Sequence, residues 1–86
     1  MPTISRFLGI VITINYNDHE PPHFHVRYSE YRALLGIDGL TVLRGQLPPR
    51  VLGLVVEWAS QHMSELRRNW DLARAQEPLE AIRPLE

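Results

Sequence analysis

Three of the four histidines in this 86-residue chain, His19, His23 and His25, fall within the run Asn17-Asp18-His19-Glu20-Pro21-Pro22-His23-Phe24-His25-Val26. Imidazole titrates nearest neutrality and is the commonest transition-metal ligand, so such a cluster nominates metal binding or proton transfer. His23 and His25 alternate with Phe24, a spacing that sets two side chains about 7 Å apart on one face of a strand, within reach of a single ion. A third ligand is needed, and either His19 or the Asp18 carboxylate can supply it, with Pro21 and Pro22 limiting the freedom of the intervening loop. A divalent transition metal, zinc, nickel or copper, suits imidazole best, and hydrolysis then requires an open coordination position. The spacing His-x3-His-x-His is less specific than HExxH. A metal-free reading is also open. One imidazole accepts a proton while another donates one, and Arg27 or Arg32 neutralises a phosphate, as in RNA cleavage. On the plainest reading, the histidines are hydrogen-bonded or exposed and Asp18 caps a turn.

These residues must be held by a strand, and the apolar pattern supplies one. Residues 23–28 alternate, with Phe24, Val26 and Tyr28 on one face and His23, His25 and Arg27 on the other. If the first face packs on the core, the histidines point toward solvent, a groove or a partner. Leu8, Ile10, Ile12, Ile14 and Tyr16 alternate in the same way and predict a preceding strand, broken by turn formers at 17–22. Ser29-Glu30 turns the chain into a third strand, Tyr31 to Ile37, and Asp38-Gly39 signals a two-residue hairpin into a short fourth, Leu40 to Arg44. Near Pro48 the period lengthens from two to about 3.6. Leu47-Pro48-Pro49 opens a helix whose stripe is Val51, Leu54, Val55, Trp58, Ala59 and His62. Ser64 is the expected N-cap of a second helix carrying Leu66, Trp70 and Ala73, and one long kinked helix is the alternative. Trp58 and Trp70 read as core, and His62 as a packing or capping residue. The expected fold is α+β. An antiparallel meander of three to four strands precedes two helices packed on one sheet face, in a single domain over 1–76 with an irregular tail over 77–86.

Composition narrows the function. Cysteine is absent, which excludes disulfides and thiolate zinc sites and leaves imidazole, carboxylate and water as ligands. The nine basic residues are all arginines, dispersed among ten acids to a net charge of -1, so extended non-specific nucleic-acid binding is not signalled by charge. The apolar run Gly9 to Ile14 is too short for a leader peptide and nothing spans a membrane, so a cytoplasmic setting is expected. A chain this short buries only about two-thirds of its unfolded surface, so a metal or an assembly partner would add a useful margin of stability.

The opening Met1-Pro2-Thr3-Ile4-Ser5-Arg6-Phe7, the Asn17-Asp18-His19 and Pro21-Pro22-His23-Phe24-His25-Val26 run, Leu47-Pro48, Val56-Glu57-Trp58-Ala59 and Asn69-Trp70-Asp71-Leu72-Ala73 together resemble a small bacterial family, domain of unknown function 4160. The resemblance covers nearly the whole chain and brings no settled catalytic residues with it. Members are often encoded beside another small domain, an arrangement similar to toxin and antitoxin pairs, which implies a compact protein working with a cognate small protein or as a homo-oligomer. Two functions follow as expectations. One is a protein-interaction component of a toxin-antitoxin-like two-gene module, engaging its partner through a sheet face or edge. The other is a small hydrolase, a ribonuclease or phosphoesterase, using His23, His25, Asp18 and Arg27 as catalytic groups, with or without a metal on His19, His23 and His25.

Overall fold

A computed structural model describes residues 2–86. Strands β1 (Thr3–Phe7) and β2 (Ile10–Thr13) are joined by Leu8 and Gly9, both at positive φ (52° and 80°). Two successive positive φ values make the tight hairpin turn whose twist matches its flanking strands. The expected strand over Leu8 to Tyr16 therefore starts later, at Ile10, and the sheet has five strands where three to four were expected. Two features hide β1 in the sequence. An apolar residue, Leu8, sits at the turn with 67% of its surface exposed, and an irregularity in register between Thr3 and Ser5 interrupts the alternation.

Strands β3 (His23–Tyr28) and β4 (Tyr31–Gly36) are joined at Ser29-Glu30, with Tyr28 opposite Tyr31. The next connection differs from the expected Asp38-Gly39 hairpin. It runs from Ile37 to Thr41 before β5 (Val42–Gly45), and the positive φ falls at Leu40 (51°). Asp38 and Gly39 stay within this turn, but Ile37 lengthens it, since its side chain is fully enclosed and its N–H donates to the Pro22 carbonyl (2.9 Å). Gly45 lies at φ +80°, where a Cβ would collide with the Arg32 carbonyl, so only glycine lets β5 close on β4 there. All neighbours in the sheet, ordered β1-β2-β3-β4-β5, are antiparallel.

One face of this sheet is the core. Ile10, Ile12, Phe24, Val26, Ala33 and Leu35 pack beneath helix α1 (Pro49–Ser60), which buries Val51, Val55, Trp58 and Ala59, and helix α2 (Met63–Arg74), which buries Leu66, Trp70 and Ala73. Trp58 is the keystone of the layer, with its ring centroid 5.4 Å from that of Phe7 and 6.1 Å from that of Phe24. Each such large apolar side chain contributes about 1.5–3 kcal/mol on full burial. Pro49 occupies the first turn of α1, where its missing N–H leaves no bond unmade. Two separate helices form, because the chain tightens at the end of α1 (His62 N–H to Ala59 O, 3.0 Å) and His62 then leaves helical geometry at φ -133°. The N-cap of α2 is thus His62 and not Ser64. Its ring packs on Trp58 (5.6 Å) and its Nδ1 lies 2.6 Å from Glu65 Oε1.

Residues 77–86 form no regular element, yet they are fastened along β1. Ile82 N–H donates to Ile4 O (2.7 Å), Ser5 Oγ donates to Ile82 O (3.0 Å) and Trp58 Nε1 donates to Arg83 O (2.9 Å). The tail thereby covers the outer edge of β1, a row of backbone groups otherwise open to another strand. Asn69, 1% exposed, clamps it from α2: its Nδ2 donates to Glu80 O (2.8 Å) and its Oδ1 accepts from Glu80 N–H (2.7 Å). Arg68 adds a two-pronged contact to the Glu80 carboxylate and holds its pKa below the usual carboxylate range. A depressed folded pKa means that this link is present above the unfolded value and is lost as pH falls through the folded one; both groups are exposed, so its weight is small. Among the described residues, no helix is long and apolar enough to cross a membrane. Asn69→Ala should lower unfolding stability by about 2 kcal/mol in urea titrations, because it strands both backbone groups of Glu80 while leaving α2 intact.

Candidate metal centre

Pairing of β2 with β3 places Thr13 opposite His25, and β3 alternation puts the rings of His23 and His25 on the same face, with centroids 5.2 Å apart. This is the face away from Phe24 and Val26, as the pattern predicts. Of the expected surroundings, solvent, a groove or a partner, His23 does not face open solvent, since only 6% of the residue is exposed. The C-terminal half of α2 lies against this end of the sheet and sets Trp70 beside the His23 ring at 5.2 Å. Arg74 on Glu20 (2.7 Å) and Gln76 on Asn17 (3.2 Å) tie the same end of α2 to the loop that carries Asp18.

That loop returns Asp18 onto the two rings. Asp18 Oδ2 lies 3.2 Å from His23 Nε2 and 2.8 Å from His25 Nε2, so three ligand atoms fall within 4.8 Å of one another. The sequence left the third ligand open between His19 and Asp18. Geometry brings in Asp18, whereas His19 sits exposed on the loop, outside the three-atom cluster, in a cleft that Asp18 also lines together with Tyr16, Glu20 and Arg74. Arg27 follows His25 on the same face but lies outside the three-atom cluster.

With both rings neutral, the hydrogen-bond roles in the cluster do not balance. His23 Nδ1–H donates to the Pro21 carbonyl (2.8 Å), which in the neutral ring leaves the Nε2 lone pair facing an Asp18 oxygen. Two lone pairs at that separation repel unless a proton or a cation lies between them. His25 Nε2 meets the same oxygen and also Asn15 Nδ2 (3.2 Å), so one nitrogen faces both an acceptor and a donor. Meanwhile Asn15 Oδ1 is buried without a partner. Turning the Asn15 amide by half a turn would bring Oδ1 to the cluster as a fourth lone-pair atom, beside the two rings and the carboxylate that a cation would satisfy. The Pro21 carbonyl plays the part that an outer partner usually plays for a metal-bound histidine, fixing the tautomer and orienting the ring.

Side-chain exposure of 24% for Asp18 and 23% for His25, against 8% for His23, gives the centre one dry wall and one side reachable by solvent. Two imidazoles and a carboxylate with a free side can hold a divalent transition metal and leave a position for water or substrate. Asn15 is missing from the sequence reading of this site, and Trp70, read there as core, is buried in the core and also walls His23. The trace of Asn15 is its place two residues beyond Thr13, which carries it to the histidine face; that of Trp70 lies only in the tertiary contact. In zinc titrations followed by calorimetry, His23→Ala and Asp18→Ala should each weaken binding by roughly 100-fold or more and Asn15→Ala by about 10-fold, with His19→Ala within twofold of wild type.

No curated protein and no solved structure matches the chain. A family model does match it over residues 9–71, a stretch that contains Asn15, Asp18, His23, His25 and Trp70. The chain belongs to the family described as Domain of unknown function (DUF4160).

Proposed function

We propose that this protein is a small hydrolase dependent on a divalent transition metal held by Asp18, His23 and His25. The observation that carries this reading is the convergence of Asp18 Oδ2 with the two Nε2 atoms on one point, with His23 oriented from behind by the Pro21 carbonyl. A metal there would lower the pKa of a bound water toward neutrality and polarise an ester or phosphoester oxygen. The chain's own residues do the rest. Trp70 shields one side from solvent, Asp18 adds the negative charge that favours a dication over a proton, and Arg27, two residues beyond His25 on the same face of β3, is the cation offered to a phosphoryl oxygen. Metal-loaded protein is expected to hydrolyse bis(p-nitrophenyl) phosphate, with turnover abolished by chelation and reduced at least roughly 100-fold in Asp18→Ala. Metal-loaded protein inert toward both this diester and p-nitrophenyl acetate would contradict the reading.

A second reading has an observation of its own. The tail covers the β1 edge, but β5 at the opposite edge is exposed along its length, with Val42 38% and Leu43 47% exposed. An uncovered apolar edge suits strand addition by a partner, consistent with a component of a toxin-antitoxin-like two-gene module. Co-expression with the product of the adjacent gene should yield a stable complex by size-exclusion chromatography and light scattering, and Val42→Lys/Leu43→Lys should dissolve it.

A further inference from the structure

The sheet face opposite the helices carries a second feature, laid out in two cross-strand rows. One row runs Thr3, Thr13, His25, Leu34, Arg44, and the other Arg6, Val11, Arg27, Arg32, each step a directly opposed pair. Between them lies a shallow groove of about 220 Å³, lined by Val11, Thr13, His25, Arg27, Arg32 and Leu34 among others. Four of the nine arginines therefore share one face that the sequence, counted by net charge, describes as unremarkable.

These arginines have no acidic partners. Among the described residues, the arginine ion pairs use Arg67 with Asp38, Arg68 with Glu80 and Arg74 with Glu20, all from α2. Arg27 and Arg32 stand directly opposite each other on β3 and β4, a like-charge pair that costs stability unless an anion lies between them. A single phosphate would occupy one such pair. The array is wider, because β1 to β5 spans four strand steps of about 4.8 Å, or roughly 19 Å from the Arg6 strand to the Arg44 strand. A planar guanidinium fork matches phosphate oxygens two at a time, and an array of that width fits a polyanion. Val11 and Leu34 give the groove an apolar floor on which sugar and base surfaces can rest. His25 lines the groove and also faces Asp18, so a strand lying in it passes the metal centre.

We propose that this open sheet face binds a single-stranded nucleic acid through its phosphate backbone, across Arg6, Arg27, Arg32 and Arg44. Its standing as the substrate rests on the hydrolytic reading above; the binding itself does not.

Fluorescence anisotropy with a labelled mixed-sequence RNA of about 12 nucleotides tests the binding, using the full chain in EDTA so that no metal contributes. The full chain should bind with a log-log salt slope of about -3, the value for some four neutralised phosphates on a single strand. Arg27→Gln/Arg32→Gln should weaken binding at least tenfold while melting no lower than wild type, since the substitution removes a repulsion. Arg50→Gln/Arg83→Gln, an equal loss of charge on exposed arginines of α1 and the tail, should stay within twofold. Absence of binding by wild type, or equal losses in the two double variants, would overturn the proposal. Displacement of the RNA by polyglutamate at matched charge would overturn it in favour of an acidic protein partner. Zinc binding by calorimetry is a separate readout, so failure of the metal centre and failure of the groove remain distinguishable.

Discussion

The two-residue alternation of β3, the middle strand of five, is the constraint on which the rest of the molecule depends. Phe24 and Val26 are locked beneath Trp58 and the other helix residues, and a slip of one position would expose both while burying a histidine and Arg27. Core packing therefore fixes the opposite face, touching it directly only where Trp70 meets His23. His23, His25 and Arg27 project together because their neighbours cannot turn over, and pairing on both sides extends this ordering to Thr13, Leu34 and Arg32. A site built on a strand held in this way inherits the rigidity of the core.

Alternation alone would leave two rings in solvent. What makes a centre of them is the loop that returns Asp18 and the end of α2 that walls in His23 with Trp70. With His23 neutral and its Nδ1–H on the Pro21 carbonyl the result is locally costly, since Nε2 then turns a lone pair to a carboxylate oxygen, and an amide oxygen of Asn15 is buried without a donor. Such conflicts are rare in structural regions and frequent where a ligand completes the network. The same logic applies at the groove, where Arg27 and Arg32 face each other across two strands without an acid between them. Both features sit on one face, and both would be relieved by charge brought from outside, a cation at one end and an anion along the rest, as proposed above.

Much of this was legible in the sequence, for reasons that can be given residue by residue. The histidine face, the inward set Phe24 and Val26, the turn at Ser29-Glu30 and the two helix stripes follow from period and turn chemistry, which are local. What escaped is non-local. Leu8 gave no turn signal because its strain is carried by a residue type that rarely sits at positive φ, so the first strand was expected to start there and β1 went unread. Asp38 and Gly39 do lie in the turn, but the burial of Ile37 makes the connection longer than two residues. The burial of His23 depends on Trp70, some 47 positions along the chain, and the choice of Asp18 over His19 depends on how the loop folds back, which no spacing rule encodes. The arginine array escaped because each member sits on a different strand and only the register assembles them.

The central claim, that a cation belongs where Asp18, His23 and His25 meet, is tested most directly by anomalous diffraction from crystals grown with zinc. The account predicts one strong peak about 2.0–2.2 Å from Asp18 Oδ2 and from both Nε2 atoms, with His23 Nδ1 still on the Pro21 carbonyl. Zinc bound elsewhere on the chain, or no peak at this point with Asp18 directly hydrogen-bonded to both rings, would contradict it.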